Sequence, residues 1–213
     1  MKLRRYASYI FLLFACITIS AQSEFQELRQ KLVDGNNRFI SAQATHPNSS
    51  AARREEVAKG QHPFAIIVSC SDSRVPPEIL FDQGMGDLFV IRVAGNVVDD
   101  IGIASIEYAV EHLGVKLVVV LGHEKCGAVS AAVQGGKLPG HLPKHVKAII
   151  PAVNAAKKMK GDLVVNAINQ NVHHVVKLLK NSKPILEEVI HKHELEIIGA
   201  YYDLDDGTVQ FLN

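Results

Sequence analysis

Cys70, His123 and Cys126 are the residues of this chain whose types and spacing can hold a metal. Cys126 follows His123 by three residues, so both belong to one short stretch, while Cys70 comes from far upstream. Two thiolates and an imidazole favour zinc over calcium or magnesium, which take oxygen ligands. Three protein ligands leave the fourth tetrahedral position of zinc open for water, the arrangement of a catalytic site. The same two cysteines could instead close a disulfide, which an oxidising compartment permits. Asp72 and Arg74 lie between these features, in Cys70-Ser71-Asp72-Ser73-Arg74. An aspartate two residues from a ligand can reach the metal or its water, and an arginine two further on can hold that carboxylate with its forked donors. A loop salt bridge is the plainer reading of such a pair. Two other chemistries fail on spacing. Cys70 to Arg74 is too short for a thiol-phosphatase loop, and Gly122–Gly127 lacks the Gly-Lys-Ser/Thr ending of a phosphate loop.

These residues need a frame that brings them together. Three apolar runs stand out, at Phe64–Ser69, Leu88–Val93 and Lys116–Leu121. None alternates strictly, and continuous β-branched runs suit strands buried on both faces, as in a parallel sheet. Pro76-Pro77 opens a short helix after the first run. Asp100–Leu113, capped by Asp99 or Asp100 and closed by Gly114, reads as a helix with a broad apolar face. Strand and helix alternate, which predicts an α/β fold with a mostly parallel central sheet flanked by helices. Cys70 then follows the first strand and His123 the third, with Cys126 in the first turn of a helix. All three fall at strand carboxyl ends, where open α/β sheets place their sites. From His141 to His193 the pattern predicts three helices, broken near Gly161-Asp162 and at Lys183-Pro184. Leu195–Tyr202 and Thr208–Leu212 then read as strands around an Asp205-Asp206-Gly207 turn.

The whole chain has 213 residues, 47% hydrophobic and 21% charged, which excludes a disordered protein. A net charge of +1 gives no reason to expect nucleic acid as a partner. The first stretch pairs Lys2, Arg4 and Arg5 with an uncharged, mostly apolar run from Tyr6 to Ile19 and small residues up to Ala21. That is the pattern of a secretory signal peptide, which assigns residues 1–21 to a leader and predicts export, with a bacterial periplasm as the destination and no membrane span after processing. Lipid attachment at Cys16 is the weaker alternative, because Phe14 fits a lipoprotein box poorly. Residues 22–50 read as an N-terminal helical arm. It starts at a capping box, Ser23 to Gln26, and carries an apolar stripe of Phe25, Leu28, Leu32, Phe39 and Ile40. Residues 51–213 form one domain, opened by a short helix over Ala51–Lys59 that Gly60 stops.

Cys70-Ser71-Asp72-Ser73-Arg74-Val75-Pro76 and Gly122-His123-Glu124-Lys125-Cys126-Gly127 resemble the two signature motifs of β-class carbonic anhydrases. Arg92 to Asn96 and Ile106-Glu107-Tyr108 fit the segment between them. The resemblance implies reversible hydration of carbon dioxide to bicarbonate by a zinc lyase with one zinc per protomer. It implies Cys70, His123 and Cys126 as ligands and Asp72 with Arg74 as the catalytic dyad, Asp72 also being able to take the fourth metal position. Gln61, Phe89, Tyr108 and Gly127 fall where plant-type members place their substrate pocket. Ala94 stands where those members carry a bulkier valine. The chain has no tryptophan, whereas members regulated by bicarbonate use one at a separate site, so the resemblance is to the open, plant-like type. It further implies a homodimer or higher homo-oligomer, with the arm as the element that embraces a partner. No proton shuttle can be named, since His62 and His112 are near only in sequence. Two other readings share the scaffold: hydrolysis of a carbon dioxide analogue such as carbonyl sulfide or carbon disulfide, and a non-catalytic binding protein stabilised by zinc.

Overall fold

In a computed structural model the backbone is described over residues 3–212 and the side chains over residues 22–212. Five strands form one sheet: β1 (Ala65–Ser69), β2 (Leu88–Arg92), β3 (Leu117–His123), β4 (Glu196–Tyr202) and β5 (Val209–Leu212). Their spatial order is β2-β1-β3-β4-β5, parallel except for the antiparallel β4–β5 hairpin. The expected architecture is therefore the one observed. β1 and β3 are buried along their whole length, as continuous apolar runs require. β2 is only half-buried. Its run reads the same as the others, but it is the outermost strand, and its sequence does not reveal which strand ends up at the edge.

Among the described residues eight α-helices surround the sheet: α1 (Leu3–Ile40), α2 (Ala51–Val57), α3 (Pro77–Leu80), α4 (Asp100–Leu113), α5 (Gly127–Gln134), α6 (Leu142–Ala156), α7 (Leu163–Lys180) and α8 (Ile185–His191). One face packs Ile66, Val68, Val118, Val120 and Ile197 against Ile106 and Val110 of α4, Val172 and Leu179 of α7 and Leu186 of α8. The other packs Ala65, Ile67, Leu117, Val119 and Leu121 against Leu32 of α1 and Leu80 and Phe81 around the end of α3. Side chains alternate faces along a strand, so β1 and β3 supply both cores from neighbouring residues.

The arm departs from expectation in two ways. α1 does not begin at the Ser23 capping box but runs through it from Leu3, since the upstream residues include no glycine or proline to stop a helix. Its apolar stripe is also spent partly on its own sheet. Leu32 is fully buried there, with Leu28 and Phe39 against the same core, and burial of one such leucine contributes about 2 kcal/mol. Buried Asn36 donates through Nδ2 to the carbonyls of Leu80 and Gly207, and its Oδ1 accepts from the Val209 amide. Side chains of residues 1–21, including Cys16, lie outside the described residues. Among the described residues no helix is long and apolar enough to cross a membrane.

α7 approaches the sheet unusually closely. A Cβ on Gly122 of β3 would lie 2.6 Å from Val172 Cγ2, and one on Gly199 of β4 would lie 2.6 Å from Val172 Cγ1. Val172 is thus seated between two glycines on neighbouring strands, next to the end of β3 where His123 sits.

Candidate active site

The sheet order places β1 beside β3, although β2 and α4 come between them in sequence. The chain runs outward from β1 to β2, then crosses back to β3, and such a reversal opens a crevice at the strand carboxyl ends. Cys70 leaves β1 there. His123 is the last residue of β3, which runs two residues beyond the apolar run that ends at Leu121, and Cys126 caps α5. One ligand atom from each of the three lies within 4.8 Å of the others. Cys70, Cys126 and His123 are all buried, and both thiols are free, so the disulfide alternative does not hold in this structure.

The orientation of His123 suits a metal. Nδ1 lies 2.8 Å from the Glu124 carbonyl oxygen. A carbonyl only accepts, so Nδ1 carries the proton and Nε2 keeps its lone pair. That Nε2 is buried with no hydrogen-bond partner, an unsatisfied acceptor that costs on the order of 1–3 kcal/mol unless something binds it. Cys70 is a ready thiolate. The hydrogen bond from Cys126 pulls its pKa down most, against burial, and the Gly95 and Asp72 amides help. Cys126 is pushed up in turn, because the two sulfurs share one proton in a buried place. A cation would relieve both groups.

Asp72 stands beside this group but not within it. Arg74 donates from Nε to Oδ1 at 2.9 Å, from Nη2 to Oδ2 at 2.7 Å, and from its backbone amide to Oδ1 at 3.0 Å. This clasp holds the Asp72 carboxyl well below the usual carboxylate range despite partial burial. Oδ2 lies 3.9 Å from His123 Nε2. The carboxylate is therefore turned to arginine while one oxygen still faces the imidazole. Arg92 holds the same loop from β2: its Nε donates to the Cys70 carbonyl at 3.0 Å and its Nη2 to the Asp72 carbonyl at 2.6 Å. The sequence assigns it no role, although Arg92 opens the Arg92–Asn96 segment between the two signature motifs.

Gly127 opens α5 beside Cys126, with open space around its Cα. The other three pocket candidates are not gathered here on the same chain. Phe89 pairs with Ile66, four residues before Cys70, which sets it about 13 Å back along the sheet at the usual rise per residue. Tyr108 lies on α4, 48% exposed, its ring 6.5 Å from that of Phe89. Gln61 is exposed, before the amino end of β1.

A family model described as carbonic anhydrase matches residues 65–209. The chain is 43% identical over 180 residues to carbonic anhydrase 2 of Mycobacterium tuberculosis, covering 83% of this chain and 87% of that one. It is 40% identical over 183 residues to the carbonic anhydrase of Mycolicibacterium smegmatis, covering 84% and 89%. Its fold is similar to a tetrameric β-carbonic anhydrase of Sordaria macrospora, with a TM-score of 0.71 at 29% identity over 84% of this chain and 94% of that one.

Proposed function

The chain belongs to the β-class carbonic anhydrase family, and from that premise we propose that it catalyses the zinc-dependent, reversible hydration of carbon dioxide to bicarbonate and a proton. The observation that carries the zinc reading is the buried, unpartnered Nε2 of His123 facing two free cysteines. Cys70, His123 and Cys126 would hold the ion. When bound, zinc supplies Lewis acidity, which makes water acidic enough to act as a nucleophile near neutral pH.

The chain's own groups do the rest. Asp72 Oδ2 accepts a hydrogen bond from the attacking oxygen and aims its lone pair at the carbon of carbon dioxide. Arg74 keeps Asp72 ionised and holds it away from the ligand group. The Gly127 N–H, free at the start of α5, donates to a substrate oxygen. Gln61, Phe89 and Tyr108 contribute pocket wall from a second copy of the chain, since on one copy they sit apart from the ligands. A homo-oligomer follows from this, with the half-buried β2 and the exposed Tyr108 among the surfaces for it to cover.

Export belongs to the same reading. Removal of residues 1–21 would leave Ser23 at the start of α1, where its capping-box pattern has a use. N-terminal sequencing of protein from its native cell should find a start near Gln22. A retained Met1 would refute cleavage, and a lipid on Cys16 would replace it with anchoring.

The decisive experiment is Cys126→Ser in the mature protein. Zinc content and carbon dioxide hydration should be lost together, whereas one full equivalent of zinc in that variant would overturn the ligand assignment.

A further inference from the structure

α7 is an amphipathic helix whose buried stripe is Ile168, Val172, Val175 and Leu179. Asn171 lies on that same stripe and is 1% exposed. An amide in such a place is costly unless it is bonded, and here only half of it is. Nδ2 donates to the Gly95 carbonyl at 2.8 Å, while Oδ1 has no partner. What the site retains is the donor.

Gly95 is gripped at its other end too. Its N–H donates to Cys70 Sγ at 3.2 Å. Gly95 has a φ of +72°, and a Cβ there would lie 2.9 Å from Ile149 Cδ1 and 3.1 Å from Ala128 Cβ. The left-handed backbone and the crowding both demand glycine. Glycine is also the residue least able to hold its own conformation, so the direction of its N–H depends on an external anchor. Asn171 supplies the side-chain anchor, beside the Asn96 N–H that donates to the Val93 carbonyl at 2.8 Å in the same turn, and it is itself fixed by the seat of Val172 between Gly122 and Gly199.

We infer that Asn171 is a positioning residue for Cys70, acting through Gly95: by holding the Gly95 carbonyl it aims the Gly95 N–H at the Cys70 sulfur. An N–H directed at a thiolate draws electron density from it, and groups that bond to metal ligands in this way tune the metal. The inference rests on the proposed function only for the role of Cys70 as a ligand.

The test is Asn171→Leu, which keeps the shape and removes the donor, in full-length protein loaded with cobalt(II) in place of zinc. Without the N–H bond the sulfur is a better electron donor. The sulfur-to-cobalt charge-transfer band should therefore move to longer wavelength, and the zinc form should lose about tenfold or more in activity or metal affinity, as such supporting groups do. An unmoved band in a folded, cobalt-loaded variant would overturn the inference. Should Asn171→Leu fail to fold, Asn171→Ala removes the donor without adding bulk to the buried stripe, and the same band decides. Failure of the wild-type protein to hydrate carbon dioxide would sink the functional reading instead, and the band comparison would still be read.

Discussion

Asp72 and Asp82 lie ten residues apart, each clasped by an arginine and each held well below the usual carboxylate range. Their surroundings differ in kind. Asp82 is 2% exposed, and burial alone would raise its pKa. The Thr45 amide and hydroxyl, the Arg38 guanidinium and the His46 amide outweigh that, at 2.6 to 3.0 Å. Three of these bonds fall on Oδ2 and one, from the His46 amide, on Oδ1, and together they tie α1 and the loop after it to the end of α3. The Asp72 carboxylate has a single partner residue, two positions away, and the oxygen facing His123 accepts only from that arginine. One pair is closed on itself and holds the fold. The other is left with acceptor capacity toward the site. An Asp–Arg pair is thus defined by what else the carboxylate is asked to bind.

The contrast can be broken most severely at Asp82. Asp82→Ala leaves Arg38 and two amides without their acceptor and should destabilise the protein by about 3 kcal/mol, the usual scale for one partner of a buried pair. The folded fraction should keep its activity. The sign with pH follows from the depressed folded value: the carboxylate stabilises above its unfolded pKa of about 3.9 and loses that contribution as pH falls through the folded one. Urea unfolding of both proteins should therefore show a gap that is full at neutral pH and narrows below about pH 4. A gap independent of pH would remove the charge from the argument.

Arg74→Ala attacks the other pair and should do the reverse. Arg74 is half exposed, so the melting temperature should barely change. Carbon dioxide hydration should fall by about 100-fold, within the range for groups that act on proton positions, because Asp72 is freed to turn onto the metal. Zinc-edge X-ray absorption should then report an added oxygen ligand from the carboxylate with zinc retained. Asp72→Asn should also lose activity but keep an open metal position. Full activity in Arg74→Ala would reduce the pair to a loop salt bridge. The smallest effect is expected at Lys125, which bridges Glu124 and Asp205 at 2.9 Å each on the surface. Lys125→Ala should leave melting temperature and activity unchanged within error, and a large loss would mean that this exposed cluster also serves the site.

The sheet was readable from three apolar runs, and the ligand triad from its placement at their ends. Edges were not readable, because β2 has the composition of an interior strand. Gln61, Phe89 and Tyr108 could be named only by resemblance, and one chain does not bring them to the ligands. Asn171 belongs to no motif, and Arg92 is given no role by the Arg92–Asn96 segment that it opens. Asn171 did leave a trace, since a lone amide at helical spacing among Ile168, Val172 and Val175 is a buried polar group that must have a reason. In the unprocessed chain α1 runs through the Ser23 capping box, because such a box marks where a helix can begin and does not oblige it to begin there.

The strand order has a consequence for how the protein is made. Cys70 precedes His123 by more than fifty residues, with all of β2 and α4 between them. A nascent chain that has paired only β1 with β2 owns one of the two ligand sulfurs and not the His123 imidazole. The imidazole arrives when β3 slots in on the far side of β1, a long-range closure that belongs late in folding. Metal therefore cannot nucleate this fold as it does a zinc finger. It can only lock a sheet already built, so chelators should slow refolding little and shorten the lifetime of the finished enzyme.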